Sequence, residues 1–208
     1  MKKSMTVTYE VEGALYVNIT NACTNRCDFC IRNNADGAYG SDSLWLAKEP
    51  SKSEIIASII NSGPESYREI VFCGYGEPTA RLKVMLEVAR AIKESYPNVK
   101  IRVNTNGQSD LIHGKSTAPM YAGVIDSVSI SLNAPTAEGY DAICHSVYGK
   151  SAFDSILSFA KNVKEFVPKV AFSVVGDFLS PEDIEACRNI AKEVGVDIRV
   201  RDYISKAE

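Results

Sequence analysis

The stretch Ala14-Leu15-Tyr16-Val17-Asn18-Ile19-Thr20-Asn21-Ala22-Cys23-Thr24-Asn25-Arg26-Cys27-Asp28-Phe29-Cys30 decides how the rest of this chain is read. Its first half is a short apolar run of strand character, and its second half sets three cysteines in the order Cys-x3-Cys-x2-Cys. Three thiolates can hold three irons of a four-iron cluster and leave the fourth iron open to another ligand. The spacing therefore points to chemistry as well as to metal storage.

Outward from this stretch, short β-branched runs alternate with longer amphipathic ones. The strands are expected at residues 14–20, 69–73, 100–104, 127–132, 170–175 and 197–201, and helices at 52–61, 83–95, 153–166 and 181–194. Ser180, Pro181 and Asp183 supply an entry signal for the last helix, and Gly195 a stop. Six strands with helices between them imply a parallel sheet curved like a barrel, because parallel neighbours need crossover connections. The loops after the strands then share one face, where catalysis belongs. Two connections exceed the usual loop length: residues 33–50, with Gly37, Gly40 and Trp45, and residues 108–126, with Gly114, Pro119 and Gly123. Lids, substrate loops and plain surface decoration are all open for them.

The 208 residues suit one sizeable core, so a single domain over 1–208 is expected. Hydrophobic residues at 45%, charged residues at 24% and a net charge of -3 are those of an ordinary globular protein, with no general attraction to nucleic acid or anionic membrane. Lys2 and Lys3 precede no apolar signal core, and no segment is long enough to span a bilayer, which gives a cytoplasmic, non-membrane expectation. Of the six cysteines, three crowd into the loop while Cys73, Cys144 and Cys187 stand singly, a pattern of metal binding more than of disulfides. With only His113 and His145 in the chain, a histidine-rich metal centre is disfavoured, and neither histidine is assigned a catalytic role. A structural zinc site short of one ligand and plain reduced thiols in a loop are the other readings of the triplet.

The run from Cys23 to Cys30, with Phe29 just before the last cysteine, resembles the signature of the radical S-adenosylmethionine superfamily. The resemblance implies a 4Fe-4S cluster on Cys23, Cys27 and Cys30, with the open iron chelated by the methionine part of S-adenosylmethionine. It also implies reductive cleavage to methionine and a 5'-deoxyadenosyl radical, which abstracts hydrogen from a substrate. The fold it implies is α/β, a partial (β/α)6 barrel in one core domain of six β/α units, with no extension for auxiliary clusters. Cys73-Gly74-Tyr75-Gly76-Glu77-Pro78 resembles the family's Gly-Gly-Glu-Pro turn, with Tyr75 where the first glycine usually stands. Glycine permits close backbone approach and proline stiffens the turn, so Gly74, Tyr75, Gly76, Glu77 and Pro78 are expected at the methionine end. Asn104-Thr105-Asn106-Gly107 is similar to the family's Thr-Asn-Gly turn, which makes Asn106 a candidate contact, although an ordinary Asn-Gly turn reads the same way. Ser129-Ile130-Ser131-Leu132-Asn133 resembles the family's stretch that reaches the cofactor's ribose, which makes Ser131 and Asn133 candidate contacts to its hydroxyls, with Asn133 replacing a frequent aspartate.

Arg199 and Arg201 share one face of the last strand and offer guanidiniums to a carboxylate or phosphate, or are solvated strand-end charges. Cys73 is expected near the barrel interior, and Cys144 and Cys187 in packing. The Cys30-Ile31-Arg32 run and Leu44-Trp45-Leu46 most resemble the compact TatD-associated radical proteins. A low-potential flavodoxin or ferredoxin is the implied electron donor, and the substrate, small molecule or macromolecule, is not legible. The competing readings are a glycyl-radical-enzyme activase and a non-catalytic iron-sulfur or zinc module.

Overall fold

The hydrophobic pattern condenses into seven strands and six α-helices in a computed structural model that describes residues 2–204. Met1 and residues 205–208, the ends of the expected 1–208 domain, lie outside the described residues. The strands are β1 (Thr8–Val11), β2 (Ala14–Val17), β3 (Ile70–Phe72), β4 (Ile101–Thr105), β5 (Ser127–Ser131), β6 (Lys169–Val175) and β7 (Asp197–Arg201). The helices are α1 (Lys52–Asn61), α2 (Leu82–Ser95), α3 (Ser109–His113), α4 (Ala137–Cys144), α5 (Ser151–Val163) and α6 (Pro181–Val194). One sheet holds all seven strands in chain order, parallel from β2 onward, and its edge strands β1 and β7 do not pair. The result is the expected α/β partial barrel, open on one side.

Two features depart from the expected six units. An antiparallel strand, β1, precedes the first parallel one, joined to it through Glu12 and Gly13, both at positive φ (48° and 72°). That two-residue turn matches the twist of a hairpin. At the other end, no helix follows β7 among the described residues, so six parallel strands carry helical crossovers only in the five connections between them.

Alternation along the strands divides the sheet into two faces. Leu15, Val17, Ile70, Phe72, Ile101, Val103, Val128, Ile130, Phe172 and Val174 bury against the helices in the main core. α2 meets them with Leu82, Met85, Leu86, Ala89 and Ile92, the spacing of one helical stripe. The helix ends are closed as the sequence allows: Ser51 and Glu54 form a reciprocal capping box on α1, and Ser180 caps α6, with Gly195 in the left-handed region at its end.

Both long connections turn out to be packed structure. Residues 108–126 contain α3 and a 3-10 turn, Ala118–Tyr121, whose Tyr121 is fully buried against Phe159. Residues 33–50 wall off one side of the sheet's other, concave face. There Ala38, Leu44 and Trp45 form a second apolar cluster with Tyr9, Val11, Tyr16 and Tyr75.

Asp126, just before β5, ties the lower edge of the sheet. Its carboxylate accepts from Lys93 Nζ (2.6 Å) and the Ile101 N–H (2.7 Å), with Lys100 at 3.5 Å. Burial works against the charge, but these donors outweigh it and hold the Asp126 pKa below the usual value. A depressed carboxylate stabilises the fold above its unfolded pKa and loses that contribution as pH falls through the folded value. Asp126→Asn is therefore expected to cost about 1 kcal/mol at pH 7. Urea titrations should show the gap from wild type closing as pH drops below about 4.

Candidate functional site

The three cysteines lie on the loop that leaves β2, at the end of the sheet where the parallel strands finish. All three thiols are free and half-buried. The Asn25 N–H points at Cys23 Sγ (3.4 Å), and the Cys30 N–H donates to the Cys27 carbonyl (3.1 Å). Burial pushes the Cys23 thiol up to about 12 and raises that of Cys30. The Cys27 thiol is raised first by its hydrogen bond with Cys144 and then by burial. Without a metal these are thiols, and ligation must displace their protons. Among the described residues no three His, Cys, Asp or Glu side chains converge as ligands of one ion. A cluster, in contrast, carries its thiolates on separate irons. The donor set, three accessible sulfurs with an N–H already aimed at one of them, fits such a group.

What fixes this loop is a buried polar network. Gln108, fully buried, accepts from Thr24 Oγ1 (2.7 Å) and Ser146 Oγ (3.0 Å), and donates to Asn25 Oδ1 (2.8 Å) and Tyr140 Oη (2.9 Å). The Arg26 and Asp28 N–H groups donate to the carbonyls of Cys144 and Ile143, which the end of α4 leaves unpaired. His145, in the left-handed position closing α4, places Nε2 2.9 Å from Asp28 Oδ1. The cysteine loop is thus seated on the C-terminus of α4.

Glu77 joins the second motif to the third. It is 4% exposed, and its Oε1 accepts from Thr79 N (3.0 Å), Thr79 Oγ1 (2.7 Å) and Thr105 Oγ1 (2.8 Å), while Oε2 accepts from Asn106 N (2.7 Å). Burial raises its pKa, against the pull of these donors. Glu77 N–H in turn donates to the Ala22 carbonyl (2.7 Å), beside Cys23. Asn106 donates to Thr24 Oγ1 (2.8 Å) and accepts from the Gln108 N–H (3.0 Å), so both ends of its amide are engaged with the protein.

The glycines of the turn have a steric cause. A Cβ on Gly76 would stand 2.3 Å from the Thr20 carbonyl oxygen, and one on Gly74 2.2 Å from Asn18 Oδ1. Gly76→Ala must displace backbone at the entry to the cysteine loop. Its expected effect is a melting point several degrees lower and weaker retention of iron after anaerobic reconstitution, read by circular dichroism and iron analysis. The carbonyl oxygens of Gly74 and Gly76 accept no hydrogen bond from the described residues. Tyr75 turns its ring away, into the second cluster, with its hydroxyl on the Ala35 carbonyl (2.7 Å) and Trp45 edge-on at 5.2 Å. Pro78 starts the 3-10 turn Pro78–Arg81, which Glu77 caps.

At the end of the fourth parallel strand, β5, Ser131 faces the concave side, and its hydroxyl makes no hydrogen bond with any described residue. Asn133 sits at φ 56°, is 3% exposed, directs Nδ2 at Cys144 Sγ (3.7 Å) and leaves Oδ1 buried without a partner. Cys73 lies on the concave side within reach of Asn104, and burial raises its thiol. Sequence reasoning gave no role to Gln108, Thr24 or Arg32. Arg32 donates to the carbonyls of Asn25 (3.1 Å) and Tyr75 (3.4 Å), bridging the two motifs. Cys144, expected only to pack, also touches Cys27. His113 binds the Thr79 carbonyl (2.8 Å) through Nε2, a structural contact.

An open parallel β/α barrel with a Cys-x3-Cys-x2-Cys loop after its first parallel strand defines a class of cluster-binding barrels. The chain belongs to the Radical SAM superfamily, whose family model matches residues 17–190. It is 21% identical over 202 residues to a tRNA-2-methylthio-N(6)-dimethylallyladenosine synthase of Finegoldia magna, covering 93% of this chain and 41% of that protein. It is 25% identical over 146 residues to the dual-specificity RNA methyltransferase RlmN of Geotalea uraniireducens, covering 68% of this chain and 38% of the relative. The chain thus spans about two fifths of the length of these curated relatives. Among solved structures, Streptococcus suis SuiB bound to the precursor peptide SuiA superposes with a TM-score of 0.67 at 20% identity, over 94% of this chain and 42% of that one. The structure titled native anSMEcpe with bound AdoMet superposes with a TM-score of 0.58 at 17% identity, over 91% of this chain and 50% of that one. Both likenesses are of fold. No helix among the described residues is long and apolar enough to cross a membrane.

Proposed function

We propose that the chain is the core domain, residues 1–208, of a radical enzyme in which Cys23, Cys27 and Cys30 ligate a 4Fe-4S cluster and S-adenosylmethionine binds beside it. The cluster supplies the electron that cleaves the sulfonium to methionine and a 5'-deoxyadenosyl radical for hydrogen abstraction. The chain's own residues bind and orient. The unengaged carbonyls of Gly74 and Gly76 suit the methionine ammonium, in a turn that Tyr75 anchors from behind and Glu77 and Pro78 stiffen. Ser131 and Asn133 suit the ribose, where a hydroxyl would satisfy the orphaned Asn133 Oδ1. Asn106 holds the turn against Thr24 instead of reaching outward. The observation that carries this reading is Glu77: its buried carboxylate, with four donors, ties the glycine turn to the Asn106 turn, and its backbone N–H ties both to Ala22 beside the cysteines.

Electrons come from a low-potential flavodoxin or ferredoxin, in a cytoplasmic compartment that keeps the thiols reduced. The narrower likeness to TatD-associated proteins rests on the Cys30-Ile31-Arg32 and Leu44-Trp45-Leu46 segments, in which Arg32 bridges both motifs and Trp45 packs on Tyr75. Anaerobic reconstitution with iron and sulfide, followed by dithionite and S-adenosylmethionine, should yield 5'-deoxyadenosine and methionine. Stoichiometric zinc with no iron-sulfur absorbance and no cofactor binding would assign the loop to a structural metal module instead.

A further inference from the structure

The concave face is unevenly filled. On the β1–β3 side the aromatic cluster of Tyr9, Tyr16, Trp45 and Tyr75 occupies it. On the β5–β7 side the lining is small and polar. Strand register places Ser131 beside Ser173 and Ser173 beside Arg199 in one row, and Val175 beside Arg201 in the next. Ser173 and Val175 are buried (2% and 6% exposed) and form the floor of a shallow trough, and the exposed Arg199 and Arg201 form its outer wall.

The charges in this trough are unbalanced. Arg102, deeper in the sheet, is neutralised by Glu69 through two hydrogen bonds of 3.1 and 3.0 Å. Arg199 and Arg201, exposed on β7, have no hydrogen bond or ion pair with any described residue, and the acid of their own strand face is Asp197 at its start. Burial raises the pKa values of Tyr39 and Cys73, and Arg201 stands near enough to both to oppose that rise. The trough shares Ala171, Asp197 and Arg199 with a cavity of about 660 Å³ at the free edge of β7, where α6 adds Lys192 and also Arg188, which Glu185 partly balances at 4.0 Å. The cationic wall therefore continues to the open side of the barrel, in a chain whose net charge is -3.

We propose that this trough is the substrate site and that Arg199 and Arg201 bind a carboxylate or phosphate group of the substrate. The inference rests on the radical-enzyme reading above and adds the substrate's chemical class. A guanidinium binds either anion through a planar fork, which an exposed pair with no protein partner leaves available. Arg199 is two strands from Ser131, about 10 Å at the usual strand spacing. That separation leaves room for a substrate carbon between the anchored anion and the cofactor's sugar.

Isothermal titration of the anaerobically reconstituted protein, loaded with S-adenosylmethionine, tests this with two probes at fixed ionic strength: inorganic phosphate and N-acetylglycine. One probe should bind, and which one does separates phosphate from carboxylate substrates. Arg199→Ala and Arg201→Ala should each weaken it about tenfold, and Arg201→Lys, which keeps charge but loses the fork, by less. Circular dichroism melts of these surface variants verify that each is folded. Absence of binding by both probes, or unchanged affinity in the alanine variants, would overturn the proposal. So would an equal loss of S-adenosylmethionine affinity in those variants, which would assign the arginines to the cofactor's own carboxylate. Formation of 5'-deoxyadenosine in the same wild-type preparation tests the underlying reading separately. Product without anion binding sinks the substrate site alone, and anion binding without product sinks the radical-enzyme reading and the substrate assignment with it.

Discussion

Cys27→Ala protein, reconstituted anaerobically, is expected to show no 4Fe-4S absorbance and no 5'-deoxyadenosine above background. With Cys27 gone, only Cys23 and Cys30 remain on the loop, and the other three cysteines are not placed to replace it. Cys73 stands on the concave sheet face, while Cys144 and Cys187 are fully buried in α4 and α6. Cys144 touches the vacated position from below, but its carbonyl and thiol are tied to Arg26 and Asn133. The fold itself should survive, since a half-buried thiol contributes about 1 kcal/mol of packing. Cys187→Ala is the matched comparison: it opens a small cavity in α6, costs about 1–2 kcal/mol in stability and leaves iron content and product unchanged. Measured iron, sulfide and 5'-deoxyadenosine across the two variants separate a ligand from a packing cysteine. Product from Cys27→Ala equal to wild type would defeat the ligand assignment.

The second large effect falls on Glu77. Glu77→Ala strands the N–H groups of Thr79 and Asn106 without an acceptor in a region closed to water, together with two hydroxyls. Buried unsatisfied donors cost about 1–3 kcal/mol each, so a total near 3–5 kcal/mol is expected. At about 2–4 °C per kcal/mol for a chain of this size, the melting point should fall by about 10 °C. Glu77→Gln does not rescue it, because either amide orientation turns an NH2 toward a backbone N–H. The backbone N–H of residue 77, which holds Ala22, sits on the turn that these substitutions loosen, so iron retention should fall in both variants as that turn shifts. A melting point within 2–3 °C of wild type for Glu77→Ala would contradict the locking role.

The parallel sheet was legible because its strands and long helices carry unambiguous periods. Four helices form within three residues of where the amphipathic pattern places them, and the six parallel strands follow their β-branched runs. β1 escaped because it has four residues and turns at Glu12-Gly13 instead of an Asn-Gly pair. α3 and α4 are short, and their burial comes from partners distant in sequence, such as Tyr140 beneath Asn25 and Gln108. The same reason hid the site's supports. The cysteines announce themselves by spacing, but Gln108 acquires its role from Thr24, Asn25, Tyr140 and Ser146, which no local pattern connects to it. Tyr75 stands where the family's turn usually has its first glycine, and the sequence does not show why. Its side chain belongs to a second apolar cluster, which occupies the β1–β3 side of the barrel's concave face.

In the proposed reading this loop offers three thiolates to a cluster whose fourth iron is open to S-adenosylmethionine. Mössbauer spectroscopy of the protein reconstituted with iron-57 tests it most directly. The account predicts a 4Fe-4S spectrum in which the signal of one iron of the four shifts when S-adenosylmethionine is added. A spectrum unchanged by the cofactor, or a preparation holding zinc in place of iron, would contradict it.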